Sequence, residues 1–266
     1  MSKFLKYFII FALIAFVISG YFFVFDRKAE APVEKGNSIV IENEKEEIEE
    51  KNEDSKGVVA QKERNVPEVN DAEIPNRILI EVPFTVQAPF AKWDAYHQEA
   101  CEEASLIMLK YYFEGKKITP EIAEKEIQAM IAYQLEKYGD YRDSDAEGMV
   151  ELFEGFYGKP KGGKNLEVIY DFSKEDLKKY LSKGEPIIIP AAGRLLGNPY
   201  FTAPGPPYHA LVLIGYDGNT IITNDPGTKR GEGYGYDINT LYNAIHDFPG
   251  NLDEIEKGRK AMIVVE

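Results

Sequence analysis

The 266-residue chain has a single cysteine, a single tryptophan and three histidines. One thiol excludes an intrachain disulfide framework, so whatever Cys101 does, it does alone. Basic residues are in deficit, with 31 Lys and Arg against 45 Asp and Glu and a formal net charge of −14. That balance leaves no basic footprint for nucleic acid, and no such partner is expected. Aromatic residues almost vanish between Glu30 and Asn76, where ENEKEEIEEKNED forms the centre. A segment of this composition cannot bury a core, so residues 29–76 are expected to form a disordered acidic linker, with a charge-laced helical stalk as the alternative. Either form is a spacer.

Charge is absent from Tyr7 to Phe25, YFIIFALIAFVISGYFFVF, about 19 residues and long enough to span a bilayer core of roughly 30 Å. Residues 1–28 therefore read as a membrane anchor with a short basic tail. A cleavable signal peptide has a shorter apolar region, and the aromatic run after Gly20 argues for retention. Lys3 and Lys6 favour a cytoplasmic N-terminus, although Arg27, Lys28 and Lys35 weaken the asymmetry. The expected product is a single-pass membrane protein with residues 77–266 as one domain outside the cytoplasm.

Within that domain Cys101 lies in QEACEEASLIML. A lone thiol is usually a small core hydrophobe, whereas a lone Cys with a distant His and Asx is the pattern of a thiol nucleophile. The following ASLIMLKYYF is apolar on nearly every side, which places a buried helix after Cys101 and the thiol in its first turn. Unpaired N–H groups and the helix dipole there favour a thiolate. Glu102 and Glu103 oppose its ionisation, so a cationic partner is needed.

His209 is the expected partner. HALVLIGY reads as a buried strand and TIITND as the next one. If Asp217, Gly218 and Asn219 form a three-residue turn, Tyr216 faces Thr220, and His209 and Asp225 become diagonal neighbours on one face. A two-residue turn would put them on opposite faces. Without the cysteine, His209 could equally begin a core strand and Asp225 cap the turn at DPG.

Together VPFTVQAPFAKW, ACEEASLIMLKYY, YHALVLIGYD and ITNDPGTKRGEGYGYD resemble the transporter-free branch of the double-glycine, or bacteriocin-leader, cysteine peptidases, over about residues 78 to 265. The resemblance implies an α+β, papain-like fold with a nucleophile helix packed on a mostly antiparallel sheet. It implies Cys101 as nucleophile, His209 as base, Asp225 as orienting acid, and an upstream glutamine in the oxyanion hole. Transporter-fused relatives keep that glutamine six residues before the Cys, where this chain has Ala95. Gln87 is the first choice here and Gln98 the second. Glu102 and Glu103 stand where many relatives carry Gly and Pro. Acyl transfer on such a triad requires no cofactor or metal. A peptide or protein is the expected substrate. Alternatives are an amidase or acyltransferase on the same triad, or a cleft that holds peptides without cutting them.

Coarse patterning adds a strand at Arg77 to Val82 and a helix after Thr119 and Pro120. Another helix should begin near Asp145, and one capped by Ser173 and Asp176 should end at Gly184. PIIIPA and AMIVVE supply further strands. GRLLGNPYFTAPGPPY is too rich in Gly and Pro for either element and reads as a cleft wall beside His209. Asp143, Asp145, Glu147, Gly148, Val150 and Glu154 have the spacing of a calcium-binding loop, but acidic residues at a helix start explain the same letters more simply. Trp93 and Tyr96 flank the thiol in sequence, as cleft or core aromatics. Tyr111 and Tyr112 read as core, His97 as a surface histidine, and His246 as no part of the site.

Overall fold

The computed structural model describes residues 74–141 and 143–266. The anchor and most of the acidic segment expected from the sequence lie outside the described residues. Among the described residues no helix is long and apolar enough to cross a membrane.

The chain enters the domain earlier than the sequence indicates. Ile74 packs against the core, the Pro75 carbonyl accepts from Tyr216 OH at 2.8 Å, and the Asn76 carbonyl accepts from Gly218 N at 3.0 Å. The first strand, β1 (Arg77–Leu79), is shorter than expected. After the four-residue helix α1 (Ala95–Gln98) comes α2 (Cys101–Glu114). Ten α2 residues from Cys101 to Tyr111 are buried, as an all-round apolar helix requires, and Gly115 ends it in the left-handed conformation at φ 62°.

Local signals set the next helices. Thr119 accepts from Ile122 N and Pro120 occupies the first turn of α3 (Pro120–Lys137). Asp145 caps α4 (Ala146–Tyr157) and Glu147 lies in its first turn, so these two acidic residues of the calcium-like spacing serve a helix start. Ser173 and Asp176 form a reciprocal capping box on α5 (Lys174–Leu181). Four helices and strands were not read from the sequence: α1, β2 (Leu166–Tyr170), β6 (Tyr234–Asp237) and α6 (Ile238–Ala244).

With β3 (Ile187–Ala192), β4 (Tyr208–Asp217), β5 (Thr220–Asn224) and β7 (Ala261–Val265), these strands make a seven-stranded sheet of order β2-β7-β3-β4-β5-β6. Strand β1 pairs with the far end of β4, and every pairing is antiparallel. Helix α2 packs on β4. This is the expected α+β architecture, with the cysteine-bearing helix against an antiparallel sheet.

The β4–β5 hairpin departs from the expected turn. Asp217 pairs with Thr220, so the loop is Gly218–Asn219, two residues rather than three, with Gly218 at φ 55°. The register then shifts: Gly215 pairs with Ile222, but Leu213 pairs with Thr223 and Val212 with Asn224. Ile214 is the extra residue of a β-bulge. Its carbonyl accepts from Ile80 N at 2.7 Å. At Gly215 a Cβ would lie 2.1 Å from the Ile78 carbonyl oxygen, so only glycine admits β1 there. Beyond the bulge the register is the one a three-residue turn would have produced, and the shared face is restored.

Candidate active site

Cys101 opens α2, His209 is the second residue of β4, and Asp225 follows β5 directly. His209 and Asp225 meet as expected. The imidazole Nε2 donates to Asp225 Oδ1 at 2.8 Å, and both side chains are essentially buried. That bond assigns the Nε2–H tautomer and leaves Nδ1 as an acceptor. The Phe201 ring meets the imidazole edge-on, with centroids 5.3 Å apart.

Asp225 is held by more than the histidine. Gly227 N donates to Oδ1 at 2.9 Å, while Tyr236 OH and Asn198 Nδ2 donate to Oδ2 at 2.6 and 3.1 Å. Asn198 also donates to Tyr236 OH at 2.8 Å. Burial opposes ionisation of Asp225, but the charge of His209 and the bonds from His209, Tyr236 and Gly227 outweigh it and hold the carboxyl below its ordinary range. Tyr236 and Asn198 were missed from the sequence. They lie on β6 and in the loop after β3, and only the assembled sheet brings both to one carboxylate.

Cys101 is buried and lines the same cleft as His209, a cavity of about 720 Å³. Its hydrogen bond goes not to the imidazole but to Glu102 Oε2, at 2.9 Å. Burial pushes the Cys101 thiol well up, and the negative charges of Glu102 and Asp143 add to this, while the Ala210 N–H on β4 favours the thiolate. Glu102 and Glu103 are both buried rather than facing solvent at the helix start.

Both candidate oxyanion glutamines line the cleft. Gln87 is buried, and its Nε2 donates to the carbonyls of His97 and Gln98 at 2.9 and 3.1 Å, leaving Oε1 without a partner. Gln98 is exposed, with a long 3.4 Å bond to the Trp93 carbonyl. The cleft wall expected between Gly193 and Tyr208 is present: Tyr200, Phe201, Thr202 and Gly205 to Tyr208 line the cavity together with Gln87 and Trp93. Gly193–Leu196 forms one 3-10 turn within it.

His97 requires correction. It is not at the surface but 2 % exposed, with Nδ1 2.7 Å from Asp94 Oδ1 and Nε2 2.9 Å from Glu124 Oε2. Both ring nitrogens are thus taken by carboxylates, joining α1 to α3. His246 lies apart, with Nδ1 donating to the Gly258 carbonyl at 2.9 Å. Trp93 is exposed and lines the cleft, Tyr96 packs edge-on against Tyr141, and Tyr111 is buried while Tyr112 is half-buried.

Residues 79–247 match the model of the Peptidase_C39 like family. A search of curated proteins finds no match. Among solved structures, a Bacillus anthracis protein described as a C39-like peptidase is similar at 17 % identity and a TM-score of 0.45, over 71 % of this chain and 98 % of its own. A double-glycine motif protease from an AMS/PCAT transporter, in complex with the leader peptide, is similar at 18 % identity and a TM-score of 0.34, over 70 % of this chain and 92 % of its own. A fragment of prointerpain A from Prevotella intermedia is similar at 14 % identity and a TM-score of 0.43, over 72 % of this chain and 73 % of its own.

Proposed function

Because the chain belongs to the Peptidase_C39 like family, we propose that it is a cysteine peptidase in which Cys101, His209 and Asp225 form the catalytic triad. The observation that carries this reading is the 2.8 Å bond from His209 Nε2 to Asp225, in the cleft that also contains the first residue of α2, Cys101. Nδ1 is then free of the carboxylate to take the thiol proton. The sulfur attacks a peptide carbonyl, the imidazolium returns the proton to the leaving amine, and water releases the acyl group from the enzyme. Asp225 keeps the imidazole in the required tautomer and stabilises its charged form.

The oxyanion takes the backbone N–H of Cys101 and a cleft glutamine, Gln87 first and Gln98 second. Gln87 donation would require release of one of its two carbonyl bonds. The substrate is a peptide or protein segment laid along the cleft, whose exposed Trp93, Tyr200 and Leu252 offer apolar contacts.

The apolar stretch Tyr7–Phe25 supports a retained single-pass anchor, and the acidic stretch after it a spacer, with the domain outside the cytoplasm. Two experiments test these halves. Hydrolysis of a peptide library by the full chain should disappear in Cys101→Ala, with unchanged circular dichroism; undiminished hydrolysis by the folded variant would remove the thiol mechanism. Protease shaving of intact cells should release the domain, and a protected domain would refute the orientation.

A further inference from the structure

Glu102 sits on the first turn of α2, where a carboxylate would ordinarily face solvent and complement the helix N-terminus. It is instead 3 % exposed and folded back. Oε2 lies 2.9 Å from Cys101 Sγ, and Oε1 accepts the Ser144 N–H at 3.0 Å. Ser144 is fixed in turn by Tyr208, whose hydroxyl donates to its carbonyl at 2.7 Å. The carboxyl is therefore held between the sulfur and the strand that carries His209. A backbone N–H cannot reverse its role, so Oε1 must remain an acceptor. A neutral Glu102 must then carry its proton on Oε2, the oxygen that faces sulfur.

We propose that Glu102 is a positioning residue for Cys101: a buried carboxylic acid whose Oε2–H donates to the sulfur once the thiol proton has left. The inference rests on the reading of Cys101 as nucleophile. The thiol proton passes to His209 Nδ1, the acid keeps its own proton, and the negative charge resides on sulfur between an acid donor and the Ala210 N–H. When the S–C bond forms, the carbonyl π pair moves to oxygen. The sulfur loses its charge and the bond from Oε2–H weakens, which favours attack over a resting thiolate that is held too firmly.

The charged and titratable groups around Glu102 agree with a neutral acid. Glu103 shares its helix turn, Asp143 faces it from the connection before α4, and Tyr208 faces it from β4. Burial pushes its carboxyl well above the usual range, and the charges of Glu103 and Asp143 push the same way. A charged Glu102 would raise the Cys101 thiol further, on top of burial; a neutral one donating to the thiolate reverses that part. The same side chain would thus change from an obstacle to ionisation into a donor that supports it.

The full chain has one cysteine, so the rate of alkylation by iodoacetamide reports Cys101 alone. The measurement is the pH profile of that rate for wild type, Glu102→Gln and Glu102→Ala. The amide of Glu102→Gln is uncharged and retains a donor, so its midpoint should match wild type. Glu102→Ala loses the donor and should raise the midpoint by about one unit, cutting the rate at neutral pH roughly tenfold. A midpoint that falls in Glu102→Gln would mean an ionised resting carboxylate and overturn the proposal. An unchanged or lower midpoint in folded Glu102→Ala would overturn it too. If Glu102→Ala does not fold, the Gln variant decides alone. Alkylation needs no peptide substrate, so a protein that cleaves nothing yet gives the expected profiles would defeat the peptidase reading and leave this one standing.

Discussion

Gly227 leaves the space in which the His209 ring stands. A Cβ at position 227 would lie 2.9 Å from His209 Cε1 and 2.9 Å from Phe201 Cε1, while the Gly227 N–H holds Asp225 Oδ1 at 2.9 Å. Gly227→Ala must therefore displace the imidazole, or the ring of Phe201 that confines it. An overpacked site of this kind costs about 1 to 3 kcal/mol, a loss that a folded domain of this size can absorb. A misplaced base costs more in rate, about 10²-fold. We expect kcat of peptide hydrolysis to fall by that order while denaturant unfolding shows only the modest stability change; intact kcat would mean the ring tolerates displacement.

Asp225 and Asn224 are adjacent and face opposite ways. Asp225 reaches His209, whereas Asn224 Nδ2 donates to the Val82 carbonyl at 3.0 Å and its Oδ1 accepts from Gly233 N at 3.2 Å. Asp225→Ala should lower kcat by about 10³- to 10⁴-fold, as loss of the orienting acid does in other triads. Asp225→Asn should lower it less, because its carbonyl can still accept from Nε2–H and Gly227 N. Asn224→Ala leaves the carbonyl of the buried Val82 without this donor, while the N–H of the exposed Gly233 can turn to water, and should cost about 1 to 3 kcal/mol of stability, with kcat of the folded fraction little changed. Steady-state kinetics beside urea titrations separate the two effects, and the reverse order would reassign the orienting residue.

Tyr236 and Asn198 act on the histidine only through Asp225. Tyr236→Phe removes the 2.6 Å donor to Oδ2 and leaves Asn198 Nδ2 as the one side-chain donor to that oxygen. The carboxylate then becomes easier to protonate, so the acid limb of the kcat/KM profile should move to higher pH. Substrate binding should be nearly unaffected. An unmoved acid limb would show that Asp225 keeps its charge without the phenol.

Glu103 contributes to the pH dependence of stability. Its Oε1 accepts from Gln134 Nε2 at 2.5 Å, its Oε2 has no partner, and burial pushes its pKa up to about 7 from an ordinary 4.5. A raised acid binds its proton more tightly in the folded state. Its contribution is therefore fully present below about pH 4.5 and lost as pH rises through about 7. The loss is on the order of 3 kcal/mol at most. Glu103→Gln keeps an acceptor for Gln134 and never ionises. It should match wild type near pH 5 and exceed it in unfolding free energy near pH 8; parallel curves across that range would mean Glu103 ionises freely in the folded state.

Much of this site was legible before any fold was known. The helix at Cys101, its burial on all sides, the caps at Thr119, Asp145 and Ser173, and the strands on either side of Gly218 all follow from patterns within a few residues, because caps and turns are local hydrogen-bond arrangements. The pairing of His209 with Asp225 was also legible, though for an incomplete reason. The sequence carried the requirement that they share a face. It did not show that a two-residue turn and a bulge at Ile214 together produce the register. That arrangement depends on β1, more than 130 residues earlier in the chain, approaching Gly215 and donating Ile80 N–H to the Ile214 carbonyl. Asn198, Tyr236 and the buried His97 were illegible for the same reason. Their partners lie on other elements, and no spacing along the chain encodes a contact that exists only after the sheet has closed around it.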